Sequence, residues 1–252
     1  MKKAKVSGLI ITYNEEKHIE EVLKCFHFCD EIIVVDSFST DRTLELAQRI
    51  PNVKIYQHKF EDFTKQRNLA LDYAKNDWVF FLDADERTTP ELEKEIISTV
   101  QNSDSADAYY FYRLFFVGQK LIRYSGTQND KNFRLFKKSK AHYSTEKKVH
   151  ETLEVSGSTG ILKHKLLHYS FDNYDAFKYK MLSYGKFKGE ELFLKGKSYN
   201  PFTKWAKTSF KFIKTFFLKL GFLDGLNGIK ISYLQSLYVY ETYQTLKILN
   251  SK

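Results

Sequence analysis

Residues 77–93 read DWVFFLDADERTTPELE. An apolar run, Trp78 to Leu82, stops at the acids Asp83, Asp85 and Glu86, and Thr88-Thr89-Pro90 then opens a helix. Carboxylates at the end of a buried segment are costly unless a cation meets them. Two aspartates one residue apart suit a hard divalent ion that also grips a diphosphate, with phosphate oxygens completing the shell. The alternative is that both acids cap the following helix. Cys25, His27 and Cys29 also lie close together. They lack a fourth zinc ligand and the usual spacing, and read as buried thiols in a reducing compartment.

The elements that position these acids are legible in the hydrophobic pattern. VSGLIIT (6–12), EIIVVD (31–36), VKIYQ (53–57) and DWVFFLD (77–83) are strand-length apolar runs, as expected for a sheet covered on both faces. Helical patterns at 15–27, 41–49 and 64–74 alternate with them, the second opening on the N-cap candidates Ser39-Thr40-Asp41. The rhythm implies an open, mostly parallel, Rossmann-like α/β sheet with right-handed crossovers. Ligands in such sheets sit beyond the carboxyl ends of the strands, where Asp36 and the 83–86 acids fall. From about residue 106, DAYYFYRLFFVG (107–118) and KNFRLFKK (131–138) read as longer antiparallel strands, and 172–252 reads as helical.

The quoted segments ITYNEE (11–16), IIVVDSFSTDRT (32–43) and QRNLALDYAKNDWVFFLDADE (66–86) together resemble the family-2 inverting glycosyltransferases of GT-A fold. The resemblance is dense over 6–90 and thinner to about 170. It implies a GT-A catalytic domain over 1–170, with a nucleotide-sugar part at 1–105 and an acceptor part at 106–170. A helical, basic extension follows at 171–252. Function and cofactors follow from the same resemblance: a nucleotide-diphosphate-sugar donor, Mg2+ or Mn2+, and transfer with inversion.

By that resemblance Thr12, Asn14 and Glu15 line the nucleotide pocket and Asp36 contacts base or ribose. Arg67 lies near nucleotide and diphosphate, Asp83 makes a ribose or water-mediated metal contact, and Asp85 ligates the metal. Inverting transfer needs a general base on the acceptor side. Many family members use an aspartate in a Glu-Asp pair about 100 residues after the first acids, and none stands there in this sequence. Instead KKVHETLEV, FRLFKK and VDSFSTDRT resemble the lipopolysaccharide-core glucosyltransferase subset, which makes Glu151 the expected base with His150 beside it. UDP-glucose and an inner-core heptose are the donor and acceptor that subset implies. His168 in LLHYS is read as a metal or diphosphate ligand, or as a hydrogen-bonded core histidine. Arg134 binds an acceptor phosphate or pairs with an acid.

Two competing readings are a sugar nucleotidyltransferase and a nucleic-acid-binding module. The first wants a glycine-rich basic loop where TYNEE stands. The second wants a recognised basic and aromatic motif, and no nucleic acid is expected. Composition, with 42% apolar and 28% charged residues, is ordinary for a globular chain. Charge is asymmetric. Residues 1–130 hold 17 Lys+Arg against 22 Asp+Glu, and residues 131–252 hold 23 against 9, which points to an anionic partner for the C-terminal half. Within KWAKTSFKFIKTFFLKLG, Ala206, Phe210, Ile213, Phe217 and Leu220 share one helical face and Lys204, Lys207, Lys211 and Lys214 another. A basic amphipathic helix over 202–220 is therefore expected on an anionic membrane surface. With no apolar run of about 18 residues and no signal peptide, the expected place is the cytoplasm, at the inner face of the membrane.

Overall fold

A computed structural model describes residues 4–144 and 152–251. The chain divides into two compact units: Met1–Arg113 with Lys131–His168, and Leu114–Asp130 with Tyr169–Lys252.

In the first unit the apolar runs become β1 (Val6–Thr12), β2 (Glu31–Asp36), β3 (Val53–Gln57) and β4 (Trp78–Phe81). All four run parallel, with β1 paired to both β2 and β4 and β3 outside β2. Thr12 stands opposite Asp36 in the register, so the carboxyl ends of these strands meet where a ligand belongs. The sheet continues through β8 (Lys131–Lys137), antiparallel to β4, and β6 (Ala108–Val117), antiparallel to β8. β5 (Glu86–Arg87) pairs antiparallel with β12 (Leu166–Phe171), which sets His168 opposite Glu86. A small antiparallel sheet joins β9 (Ala141–Tyr143) to β10 (Leu153–Val155). β7 (Lys120–Ile122) belongs to the second unit, and β11 (Thr159–Ile161) pairs parallel with β6.

Strand alternation builds two apolar layers. Val6, Ile10, Ile32, Val34, Phe80 and Leu82 pack with residues of α1 (Ile19–Lys24), α2 (Thr43–Ala47) and α4 (Pro90–Gln101). Leu9, Ile33, Val35, Val79 and Phe81 pack with Ala70 and Leu71 of α3 (Phe63–Tyr73). Gly8 is required by close approach, since a Cβ there would stand 2.6 Å from the fully buried Phe26 ring. Thr89 caps α4 as its sequence suggests, accepting from the Leu92 N–H at 3.3 Å. Helix α2 differs from expectation: Asp41 instead accepts the Thr43 N–H at 3.0 Å, an Asx turn that delays the helix to Thr43.

The second unit is built around α5 (Tyr174–Leu194), α6 (Pro201–Ile213) and α7 (Leu226–Asn250). Its apolar cluster includes Val117, Ile122, Phe177, Ile231 and Leu234. A π-helical turn, Lys214–Leu218, extends α6. Among the described residues, no helix is long and apolar enough to cross a membrane.

Candidate active site

The site lies at the carboxyl ends of β1, β2 and β4. After β1 the chain turns at Asn14, in the left-handed region at φ 55°, a conformation that Asn tolerates better than most residues. This turn interlocks with the loop after β2. The Asn14 side-chain oxygen accepts the Thr40 N–H at 2.8 Å, and the Ser39 hydroxyl accepts the Asn14 N–H at 2.9 Å. The Thr43 hydroxyl accepts the Glu15 N–H at 2.7 Å. Asp36, fully buried, accepts the Ser39 N–H at 2.9 Å and the Gln57 side-chain N–H at 3.2 Å, and also takes the Ser39 hydroxyl. Thr12, Asn14, Glu15 and Asp36 are thus gathered at one rim, with Asn14 and Asp36 bonded to the loop that faces them.

The acidic cluster after β4 is organised by arginines. Asp83 Oδ1 accepts Arg67 Nη2 at 2.7 Å, and its Oδ2 accepts Arg134. Arg134 also donates to Glu86 Oε1 at 2.8 Å, which Arg113 reaches at 3.1 Å. Glu86 Oε2 in turn accepts the Asp83 N–H at 3.1 Å. Burial opposes the charge on Asp83, but the Arg134 and Arg67 guanidinium groups outweigh it and hold the carboxyl well below the usual carboxylate range. The Arg67 guanidinium also sits 4.6 Å over the Phe81 ring. A cavity of about 450 Å³ opens beside this network, lined by Arg67, Asp83 and Arg134 with Phe63, Tyr110, Tyr143 and neighbouring residues.

Asp85 is held differently. Its Oδ2 lies 3.2 Å from His168 Nε2, and both side chains keep solvent access. No cluster of three or more His, Cys, Asp or Glu side chains arranged to hold a metal occurs among the described residues. A carboxylate oxygen and an imidazole nitrogen nonetheless fit a divalent ion whose remaining ligands are diphosphate oxygens and water. Glu151 and His150 lie outside the described residues.

Sequence reasoning passed over Glu86 and Arg113 as site residues. The signal was present: Arg113 and Arg134 stand inside apolar strand segments, YYFYRLFF and NFRLF, and a buried guanidinium needs a carboxylate. Of the two readings left open for Arg134, the structure shows pairing with acids.

The sequence model of glycosyl transferase family 2 matches residues 7–163, more than half of the chain. The chain belongs to glycosyl transferase family 2. A lipopolysaccharide core biosynthesis glycosyltransferase of Rhizobium meliloti, LpsC, is 25% identical over 96% of this chain and 94% of its own. An uncharacterised glycosyltransferase of Rickettsia typhi is 28% identical over 89% of this chain and 80% of its own. In structure, S. aureus TarS residues 1–349 in complex with UDP superpose with a TM-score of 0.50 at 18% identity, covering 95% of this chain and 91% of that one. Another TarS crystal structure matches 71% of this chain, which spans 39% of that longer one, again with a TM-score of 0.50. These likenesses fit the GT-A fold of this family-2 transferase: a mostly parallel sheet, a small antiparallel sheet and C-terminal helices.

Proposed function

We propose that this transferase moves glucose from UDP-glucose, with inversion, onto a lipopolysaccharide-core or other cell-surface glycan acceptor at the inner face of the cytoplasmic membrane. The observation that carries the reading is the Asp85–His168 pair beside an arginine-locked Asp83 at the carboxyl end of β4. The likeness to LpsC supports the acceptor class, and the UDP complex of TarS supports a uridine donor.

In this reading Thr12, Asn14, Glu15 and Asp36 form the rim that receives the nucleotide, and Arg67 sets positive charge beside the diphosphate path. Asp83 orients Arg67 and Arg134. Glu151 accepts the proton of the acceptor hydroxyl as that oxygen attacks the anomeric carbon. The bond from that carbon to the diphosphate oxygen breaks on the opposite face, and UDP carries away the electron pair. A Mg2+ or Mn2+ held by Asp85 and His168 would supply charge that stabilises the departing diphosphate.

Manganese-dependent release of UDP from a panel of nucleotide sugars tests the reading. Asp85→Asn should abolish metal-dependent turnover while its circular dichroism matches the parent. Parental turnover at matched manganese would remove Asp85 from the metal site. Release of UDP from no sugar nucleotide would overturn the donor assignment.

A further inference from the structure

An amphipathic helix on a protein surface ordinarily turns its apolar face inward and its charges to water. Helix α6 does the reverse. Lys204 is only 5% exposed; its Nζ donates to Gln244 at 2.7 Å and lies 3.6 Å from the centre of the Tyr240 ring on α7. Lys207 donates to the Tyr243 hydroxyl of α7 at 2.7 Å. Lys204 and Lys207 thus pack on the neighbouring helix through polar and cation–π contacts, while Lys211 and Lys214, further along, make no such contact with it among the described residues. The opposite face projects Phe202, Trp205, Phe210, Ile213, Phe217 and Leu218 into solvent, with Phe202 81% and Leu218 69% exposed. The exposed apolar surface continues past the π turn at Phe222, Leu223 and Leu226. Burying aromatic and leucine side chains is a main source of folding stability, so leaving so many in water on one contiguous segment is the mark of a surface that meets a non-aqueous partner.

Charge says which partner. The second unit holds 16 Lys+Arg against 7 Asp+Glu and so carries the whole net charge of +9; the first unit holds 24 of each. Next to the apolar face, Lys211, Lys214 and Lys219 crowd together. Burial, then the ammonium groups of Lys219 and Lys214, pull Lys211 below its ordinary pKa. A second copy would bring an equally basic face and be repelled. A bilayer with anionic headgroups offers hydrocarbon for the aromatic face and phosphates for the crowded lysines in one surface.

We infer that the outward face of residues 202–226 seats the protein on an anionic lipid bilayer, its aromatic and leucine side chains entering the headgroup–acyl boundary and Lys211, Lys214 and Lys219 meeting lipid phosphates. This seat is independent of the sugar-transfer chemistry. Lipid binding and UDP release can each fail without the other.

The test uses the full chain, sedimented at low salt with phosphatidylcholine vesicles and with phosphatidylcholine–phosphatidylglycerol vesicles. Of the two tryptophans, Trp78 is buried in the first unit, so a blue shift of emission on binding reports Trp205. The parent should bind phosphatidylglycerol vesicles with that shift and bind neutral ones at least tenfold more weakly. Phe202→Ser with Leu218→Ser should lower partitioning by about a hundredfold, tenfold for each side chain. Lys214→Glu should lower it by about thirtyfold on anionic vesicles only, the effect of two charge units near the surface. Circular dichroism matching the parent confirms that these exposed changes leave the helices folded. The inference fails if the parent ignores anionic vesicles, if it binds neutral ones equally, or if the double variant binds as well as the parent. It fails also if the protein self-associates and the same substitutions return it to monomer without any lipid binding.

Discussion

Glu86→Gln is the perturbation that most directly probes the network under the site. Glu86 is fully buried, and its two oxygens accept from Arg134, Arg113 and the Asp83 N–H. In the parent, three guanidinium groups (Arg67, Arg113 and Arg134) share two carboxylates, an excess of one positive charge. The amide removes one carboxylate, leaving three cations on Asp83 alone. It must also turn an N–H toward one of the donors it now faces. Stripping the partner from a buried pair costs about 3–5 kcal/mol. For a chain of this size that lowers the melting temperature by about 10 °C. Adding Arg113→Met to Glu86→Gln restores the excess to one charge, so the double variant should be more stable than the sum of the single changes by at least about 1 kcal/mol. Urea denaturation of the parent, both single variants and the double variant completes the cycle. A Glu86→Gln cost below about 1 kcal/mol, or strictly additive effects, would refute the view that charge balance organises this site.

Further substitutions test the other parts of this reading. Glu151→Gln should lower sugar transfer by about a hundredfold or more while UDP affinity, measured by calorimetry, stays near parental; the opposite pattern would move Glu151 to the donor side. Because its folded-state pKa is depressed, Asp83 contributes stability that is fully present above the unfolded carboxylate value of about 4 and is lost as pH falls toward the folded value. Denaturation midpoints should therefore hold steady above about pH 5 and decline below it, and Arg134→Met should shallow that decline. Gly8→Ala should destabilise by about 1–3 kcal/mol, because the new methyl meets the Phe26 ring inside a filled core; thermal melts would show it.

The parallel half of the fold was legible because its strands are covered on both faces. β1, β2 and β3 match their apolar runs residue for residue. Helix ends were less so: the pattern at 15–27 yields only Ile19–Lys24, since the left-handed Asn14 and the turn after it occupy the first residues. In the site, the acids at 83–86 were evident as a cluster, but their division of labour was not. Whether a carboxylate meets arginine or histidine depends on strands that pair across long stretches of chain, as β12 does with β5. Apolar patterning carries no trace of that pairing. Helix α6 shows the same boundary between pattern and packing: its two faces were plain from spacing, and which of them turns inward was decided by Tyr240, Tyr243 and Gln244 about 40 residues away.

The interlocked turns after β1 and β2 bear on how any alanine scan of the rim at Thr12, Asn14, Glu15 and Asp36 should be interpreted. Asn14 and Asp36 spend their side-chain acceptors on Thr40, Ser39 and Gln57 before a ligand arrives. Shortening either one frees a loop whose shape was fixed in advance, and the ordering entropy must then be supplied during binding. A fall in UDP affinity at these positions would thus measure lost preorganisation as readily as a lost contact. The two are separable by temperature. A variant that has merely loosened the rim should regain affinity on cooling relative to the parent, because the added cost of ordering the loop is entropic and shrinks with temperature.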